Sequence, residues 1–515
     1  MKPKEERSIP YSIFRTPYLY QILSGLLLAL SYPSPGWGFL AWFALIPLLA
    51  SLHHAQDHSQ ALGFGLITGG VFFCFSMHWL TNVTTVGWLL VVVMESVYIM
   101  VFAWLAYVGI KSKTPIALKV FWIALAWTIT ELLRSEMPVF GFGWNLLAYS
   151  QSAYTPIIQF ANVLGVYGLG FLIVGVNAAL LYAWFRRKEW RTSLSLAVGA
   201  LLVLAGLLSY GKITLARSSD PKEYLRVSVL QGNIPQSVKW ELMAKEKILE
   251  IYEKLAQLAA LEQPDLVIWP EASFPGYFNR DLQAERISRL AAEIQTPFLI
   301  GGLHWVNERE LYNSAYFLER DGASGQRYDK LRLVPFGEYI PLKLVFGWMT
   351  PVADALGISD FSAGKDPVVF RWAREDWPFG VLICFEDTFP GLSRDLADRG
   401  SKILVVITND AWFGKTSAPF QHLQASIFRA VENGVAVVRA ANTGVSGFIS
   451  HQGRVLATVK DSRGEETFVM GQKTLDLPLV AERTLFRQGG FLFPHVTVAC
   501  FLILGVFISR RNRKA

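Results

Sequence analysis

Apolar residues fall in long unbroken runs over residues 1–219, in short runs broken by polar stretches over 220–488, and in one last long run before a basic tail in 489–515. The long runs cover about 18–33, 37–52, 61–80, 86–110, 116–133, 157–185 and 194–211, with the last at about 491–509. Each is near the ~20 apolar residues that a helix needs to cross hydrocarbon. The pattern predicts a seven-helix transmembrane domain, a globular block and a C-terminal transmembrane helix. The 157–185 run is too long for one simple span, so its first turns or the preceding loop belong at the membrane interface. The first run ends in LLLALSYPSPGWG, which offers no clear small-x-small cleavage site, and more spans follow; it reads as an uncleaved anchor.

In the globular block, YLRVSVLQ (224–231), DLVIWP (265–270), PFLIGGLHW (297–305), NSAYFLE (313–319), FGVLICF (379–385), ILVVITN (403–409), VAVVRAA (435–441) and GFISH (447–451) predict strands. Amphipathic stretches at 241–262, 280–294, 391–399 and 419–433 predict helices. Runs such as ILVVIT, apolar on both faces, suit central strands of a covered sheet. Hairpin-like pairs between them make the sheet mixed, and the class α/β with helices packed on sheets. YGKITLARSSDPKEY (210–224) reads as the linker out of the membrane.

Charge orients the bundle. Lys2, Lys4, Arg7 and Arg15 precede the first span, and Lys111, Lys113 and Lys119 flank the gap between the fourth and fifth. Arg186, Arg187, Lys188 and Arg191 fill the gap between the sixth and seventh, and Arg510, Arg511, Arg513 and Lys514 follow the last. With seven spans before the block, every cluster falls on one side. The positive-inside rule makes that side the cytoplasm and puts the block outside, in the periplasm of a Gram-negative cell. The composition agrees with a membrane setting: of 515 residues, 52% are hydrophobic and 14% aromatic. The net charge of +7 is scattered or sits beside apolar runs, and no arginine-rich arm or base-stacking module accompanies it, which argues against a nucleic-acid partner. Three cysteines make neither a disulfide framework nor a zinc pattern.

Candidate chemistry lies at the ends of strand-like runs in the block. Cys384, in GVLICFED, is the one thiol outside the apolar spans. A turn there would present it to a cleft, and a nearby cation would favour the reactive thiolate; the competing reading is an inert buried cysteine. Lys330, in RYDKLRLVPFGEY, is a candidate for that cation and for an oxyanion donor, or else a surface partner of Asp329 or Glu338. Glu271, in LVIWPEASFP, follows a buried strand and suits proton transfer, or else it is a carboxylate opening a helix. Base, cation and thiol together point to acyl transfer through a thioester at a membrane surface.

The motifs WPEA, YDK and CFED occur in that order, about 55–60 residues apart, within one α/β block. In order and spacing the block resembles the nitrilase (carbon–nitrogen hydrolase) superfamily, whose members use Glu, Lys and Cys. Flanked by seven spans and one span, it resembles the apolipoprotein N-acyltransferase family over essentially the whole chain. QGNIPQSVKW (231–240), PFGEYIP (335–341), TNDAWFG (408–414), PFQHLQASIFRAVENG (419–434) and RAANTGVSGF (439–448) support the likeness. The resemblance implies a multi-domain membrane protein, with an α-helical transmembrane bundle and an extracytoplasmic nitrilase-like αββα sandwich. It implies Cys384 as nucleophile, Glu271 as general base and acid, and Lys330 as oxyanion donor. Glu338 and Glu386 are implied as accessory acids, and Trp240 as a substrate-binding residue at the mouth of the site. Phe385 stands where the family often has Tyr, one hydroxyl fewer. The implied activity is ping-pong N-acylation of the N-terminal diacylglyceryl-cysteine of apolipoproteins, with a phospholipid donor, typically phosphatidylethanolamine, drawn from the inner membrane. No nucleotide, metal or other cofactor is called for. VFGFGWNLLAYSQ (139–151) would line an apolar groove open to the bilayer.

Other features have plainer readings. FGKTS (413–417) imitates the end of a phosphate-binding loop, but Asn409 stands where its first glycine is needed. HHAQDH (53–58) reads as a polar loop between spans rather than a metal site, and His422 as a structural hydrogen-bonding residue rather than an acid–base group. Glu95, inside an apolar run, is either functional or bonded to a neighbouring helix. Two other functions fit parts of the pattern. One is a membrane-tethered amidase or nitrilase with water as acceptor. The other is a transporter or receptor whose block only binds a ligand.

Overall fold

The structure is a computed structural model, and it describes residues 18–217, 221, 223–239, 242–308, 310–343, 347, 360–372, 377–480 and 482–513. Helices lie along every predicted apolar run: Leu19–Leu30, Ile46–His54, His58–Ser76, Thr85–Lys111, Ile116–Glu136, Ala161–Phe185, Trp190–Ala216 and Phe493–Arg513. Among the described residues six helical segments are long and apolar enough to cross a membrane; Leu19–Leu30 and Gly38–His54 are apolar but shorter. Pro and Gly shorten these two. The first helix stops ahead of Pro33, Pro35 and Gly36, and the second begins as a 3₁₀ turn, Gly38–Trp42, before Pro47 starts its α-helical part. The long sixth run divides into Thr155–Ile158 and Ala161–Phe185, and the latter is kinked at Gly165 (φ +68°, ψ −171°). The expected linker at 210–224 is largely absent: the seventh helix continues to Ala216, and the first strand begins at Glu223.

The bundle has two distinct ends. At one, His53 lies against Phe185 (4.5 Å between rings), Lys111 donates to the His53 carbonyl (2.9 Å) and Lys119 to that of Ile110 (2.7 Å). Asp57 caps the His58–Ser76 helix there by accepting from the Gln60 N–H (2.8 Å). At the other end the loops meet the globular block. The Gln421 side chain accepts from the Trp79 and Trp144 indoles (3.0 and 2.9 Å) and donates to the carbonyls of Pro33 and Ser76 (3.1 and 3.0 Å). Asn82, Gln159 and Ser152 add further bonds to the block.

Among the described residues the block holds two six-stranded mixed sheets. The first comprises β1 (Glu223–Gln231), β2 (Leu266–Ile268), β3 (Phe298–Asn307), β4 (Glu310–Leu318), β5 (Ser324–Asp329) and, at its other edge, β12 (Gly471–Leu479), in the order β12-β1-β2-β3-β4-β5. The second comprises β6 (Val369–Phe370), β7 (Phe379–Ile383), β8 (Ile403–Thr408), β9 (Ala436–Ala441), β10 (Gly447–Ile449) and β11 (Val455–Thr458), in the order β11-β10-β9-β8-β7-β6. β1-β2-β3 and β7-β8-β9 are parallel and the remaining pairs antiparallel. The period of two sorts the side chains. Val227, Val229, Val405 and Ile407 fill the layer between the sheets. Leu230, Val267 and Trp269 face the helices Lys245–Ala260 and Gln283–Ile294. Leu404, Val406 and Val437 face the helices Pro390–Asp398 and Ala418–Asn433, and that layer forms one continuous core with the membrane bundle. The result is an αββα sandwich whose second helical layer is seated on the bundle.

Candidate active site

Polar side chains gather at the carboxyl ends of the parallel strands, where α/β sheets commonly hold their ligands. Glu271 leaves β2 through a tight turn laid over β3. Gly301 makes this possible, because a Cβ there would collide with the Pro270 carbonyl and stand 2.6 Å from the Glu271 Cα. Cys384 follows β7 directly, in the left-handed region at φ +54°, which costs a non-glycine residue energy. Lys330 follows β5 and is almost fully buried, with 1% exposure.

These three converge. Lys330 Nζ lies 2.8 Å from Glu338 Oε1 and 3.4 Å from Glu271 Oε1. Asn313, on β4, bridges the same two acids, donating to Glu271 (2.7 Å) and to Glu338 (3.1 Å). The second oxygen of Glu338 accepts from the Val334 N–H (2.8 Å), which locks its loop. Glu386, fully buried, accepts from the N–H groups of Ile383 (2.7 Å), Leu331 (2.7 Å) and Arg332 (3.0 Å) and from the Tyr328 hydroxyl (2.8 Å). It therefore ties the turn that carries Cys384 to the strand end that carries Lys330.

Electrostatics set the resting state. Burial and the Glu271 carboxylate push the Cys384 thiol well above its ordinary range, more than Lys330 pulls it down. Burial works against the Lys330 ammonium, but Glu338 and Glu271 outweigh it and hold the charge above the usual lysine range. At rest the site therefore holds a protonated thiol and a fixed ammonium. A second lysine, absent from the sequence-predicted set, stands beside them. Lys239 is buried, donates to the Glu271 carbonyl (3.2 Å), and is brought down by burial to about 8 despite Glu271 and Cys384.

Phe385 stacks on Phe142 of the bundle (5.8 Å) and meets Phe389 edge-on (5.1 Å). Phe385 and Phe389, with Val139, Gly141, Leu333 and Tyr339, line a cavity of about 360 Å³ between bundle and block. Part of the predicted 139–151 segment thus lines this cavity. Trp240 lies outside the described residues. Glu95 pairs with Arg134 (2.9 Å), both buried, and Arg134 also donates to the carbonyls of Trp144 (2.7 Å) and Asn145 (3.2 Å), so Glu95 is bonded to a neighbouring helix. Among the described residues no group of His, Cys, Asp and Glu is placed to hold a metal ion.

A model of the apolipoprotein N-acyltransferase N-terminal domain matches residues 24–179, and a carbon–nitrogen hydrolase model matches residues 226–483. The chain is 37% identical to the apolipoprotein N-acyltransferase of Geobacter metallireducens over 462 residues, which span 86% of this chain and 87% of the relative. It belongs to the apolipoprotein N-acyltransferase family. The enzyme of that name from Chlorobaculum tepidum is 28% identical and is covered over 97% of its length, with 96% of this chain. Among solved structures, the chain is similar to a mutant of Nesterenkonia AN1 amidase from the nitrilase superfamily, with a TM-score of 0.38 and 19% identity over 51% of this chain and 94% of that one.

Asn313 is legible in part: in NSAYFLE it occupies the same strand face as Ala315 and Phe317, which fill the layer between the sheets. A polar residue at an apolar position marks the point where that layer ends and the site begins. Lys239 carries no such signal, since it lies in a turn after β1.

Proposed function

We propose that the protein acylates the N-terminal amine of diacylglyceryl-cysteine on apolipoproteins, using a membrane phospholipid, with phosphatidylethanolamine the head group expected, as donor. The observation that carries this reading is the Glu271–Lys330–Glu338 cluster beside the strained Cys384 turn, whose chain neighbours Leu331 and Phe385 line a cavity at the seam with a membrane bundle. Both substrates are lipid-anchored, and buried acyl chain contributes roughly 0.8 kcal/mol per CH₂, which favours an apolar approach to the thiol. The names of the relatives support the choice of acceptor.

In the first half-reaction the Cys384 sulfur attacks the acyl carbonyl carbon of the phospholipid ester, and Glu271 takes the thiol proton. Because the thiol is held protonated at rest, sulfur becomes nucleophilic only as that proton moves. Lys330 faces the oxyanion that forms. The intermediate collapses, the C–O bond breaks, and Glu271 returns its proton to the lysophospholipid alkoxide, leaving a thioester on Cys384. In the second half-reaction the acceptor amine attacks the thioester carbonyl, Glu271 takes a proton from nitrogen, and the C–S bond breaks. The thiolate regains the proton and an amide leaves. Thioester to amide is downhill, so no nucleotide is needed. Glu338 and Glu386 hold Lys330 and the Cys384 turn in place, and Trp240 is assigned to the substrate-binding mouth.

The test is intact-mass analysis of purified protein incubated with phosphatidylethanolamine. The expected result is an added acyl mass on the peptide holding Cys384, cleared by a diacylglyceryl-cysteine peptide, and no adduct on Cys384→Ala protein that still inserts and folds. Transfer by Cys384→Ala would refute the assignment, and an acyl-enzyme discharged as readily by water as by amine would make the protein a hydrolase.

A further inference from the structure

His422, on the Ala418–Asn433 helix, is completely enclosed directly behind the Cys384 turn. Its Nδ1 lies 3.0 Å from Asp410 Oδ1, and its Nε2 lies 3.0 Å from Asp387 Oδ1 and 3.2 Å from the Cys384 carbonyl oxygen. A neutral imidazole has one N–H and one lone pair. Here each ring nitrogen faces a carboxylate oxygen, so a neutral ring would set a lone pair against an anion. Both carboxylates are ionised: burial opposes their charge, but His422 and Arg439 hold both Asp387 and Asp410 below the usual range. Arg439 Nη1 bonds Asp387 Oδ2 (2.9 Å), and Ser426 donates to that same oxygen (2.5 Å). Charge counting agrees. Two carboxylates and one guanidinium leave this shell with one negative charge in excess, and a proton on His422 cancels it.

From this geometry we infer that His422 is an imidazolium at neutral pH that acts as a positioning residue for the nucleophile: it holds the Cys384 carbonyl in the strained turn and cancels the carboxylate field beneath the thiol. The inference rests on the reading of Cys384 as the nucleophile. Each part follows from placement. A left-handed cysteine persists only where its surroundings fix it, and the His422 Nε2–H is a side-chain donor to that carbonyl. The Asp410 charge acts on the thiol and raises it, so removing the compensating proton would disfavour thiolate and oxyanion alike. The groups facing the ring are Asp387 from the turn after β7, Asp410 from the turn after β8 and Arg439 from β9; from the bundle comes the uncharged ring of Trp144, 5.1 Å away. Burial and Arg439 lower His422, but Asp387 and Asp410 outweigh them and raise it to about 9. The charge is therefore present at neutral pH and lost as pH rises through that value.

The experiment is the rate of iodoacetamide alkylation of Cys384, read by peptide mass from pH 7 to 10.5, on full-length protein in detergent. No lipid takes part, so the outcome is separate from whether phospholipid is the acyl donor. We expect His422→Gln to react about tenfold or more slowly than wild type at pH 7, equivalent to a shift of about one unit in the thiol. The wild-type profile should bend near pH 9 as the ring loses its proton, and the two rates should converge above it. Asp410→Asn removes the negative charge facing Nδ1 and should move the bend to lower pH; this second variant decides the matter if His422→Gln does not fold. Equal rates at pH 7, a ratio constant across the range, or an unmoved bend in Asp410→Asn would overturn the inference.

Discussion

Lys330 has little room to be anything else. Its ammonium is gripped by Glu338 and Glu271, and the Lys330 N–H donates to the Asn313 carbonyl (2.9 Å). A planar guanidinium cannot replace a point donor in a space this tight. Lys330→Arg should insert and fold yet form thioester about 100-fold or more slowly, the range seen when one oxyanion donor is lost. The rate at which the acyl adduct appears by mass measures this, and a near-normal rate would remove Lys330 from the oxyanion role. Cys384, Lys330 and Glu271 stand out in the sequence because each closes a strand-like apolar run and sits in a short motif. Their support stands out less: Glu338 and Glu386 come only from the family likeness, and Asn313 only as a polar residue on an apolar strand face. Asn313, Asp387, Asp410 and Arg439 act through neighbours that are distant in sequence and meet only when two sheets stack. His422 has the structural hydrogen bonds that its sequence suggests, but two carboxylate partners make it a charged residue as well.

Elements, in contrast to their contacts, are largely legible. The eight predicted strands and four predicted helices of the block all form. β5, β6, β11 and β12 are the strands that the apolar pattern misses, for a physical reason: they lie at or next to sheet edges, where one face or both lack the continuous apolar pattern of a central strand. β12 is fixed by pairing with β1 across most of the block's sequence, not by its own composition. The kink in the sixth long helix is equally invisible in the pattern, although its cause is simple. Gly165 adopts backbone angles open essentially to glycine alone. The break frees the Val166 N–H to donate to Glu432 (2.8 Å) on the helix beneath Cys384. A Cβ at 165 would also stand 2.6 Å from the Phe486 ring. Gly165→Ala should therefore destabilise the seam by at least about 1–3 kcal/mol, lowering the thermal midpoint of the detergent-solubilised protein. An unchanged midpoint would mean that the helix straightens at no cost.

At the scale of the molecule, orientation follows from which loops share an end of the bundle. Pro33, Ser76, Asn82, Trp144 and Gln159 all touch the block. The turns holding His53, Lys111, Lys119 and Phe185 lie together away from those contacts. Among the described residues the chain thus passes between the ends seven times before β1, twice through helices shorter than a full span, and Trp190–Ala216 returns it to the block. The last helix leaves the block near Leu492 and runs for 21 residues, about 32 Å, so Arg510 and Arg511 come out at the basic end. Geometry and charge together support one proposed arrangement: basic turns in the cytoplasm, sandwich outside. Alkaline phosphatase needs disulfides that form only in an oxidising compartment, so fusions can test this. Phosphatase joined after Lys188 should be inactive, and phosphatase joined after Ala216 should be active. Fluorescent protein fusions should show the reverse. The opposite pattern would place the thiol on the cytoplasmic face, away from a periplasmic acceptor, and the acyl-transfer reading would then need a cytoplasmic amine; activity after both positions would break the assignment of the basic turns to the cytoplasm.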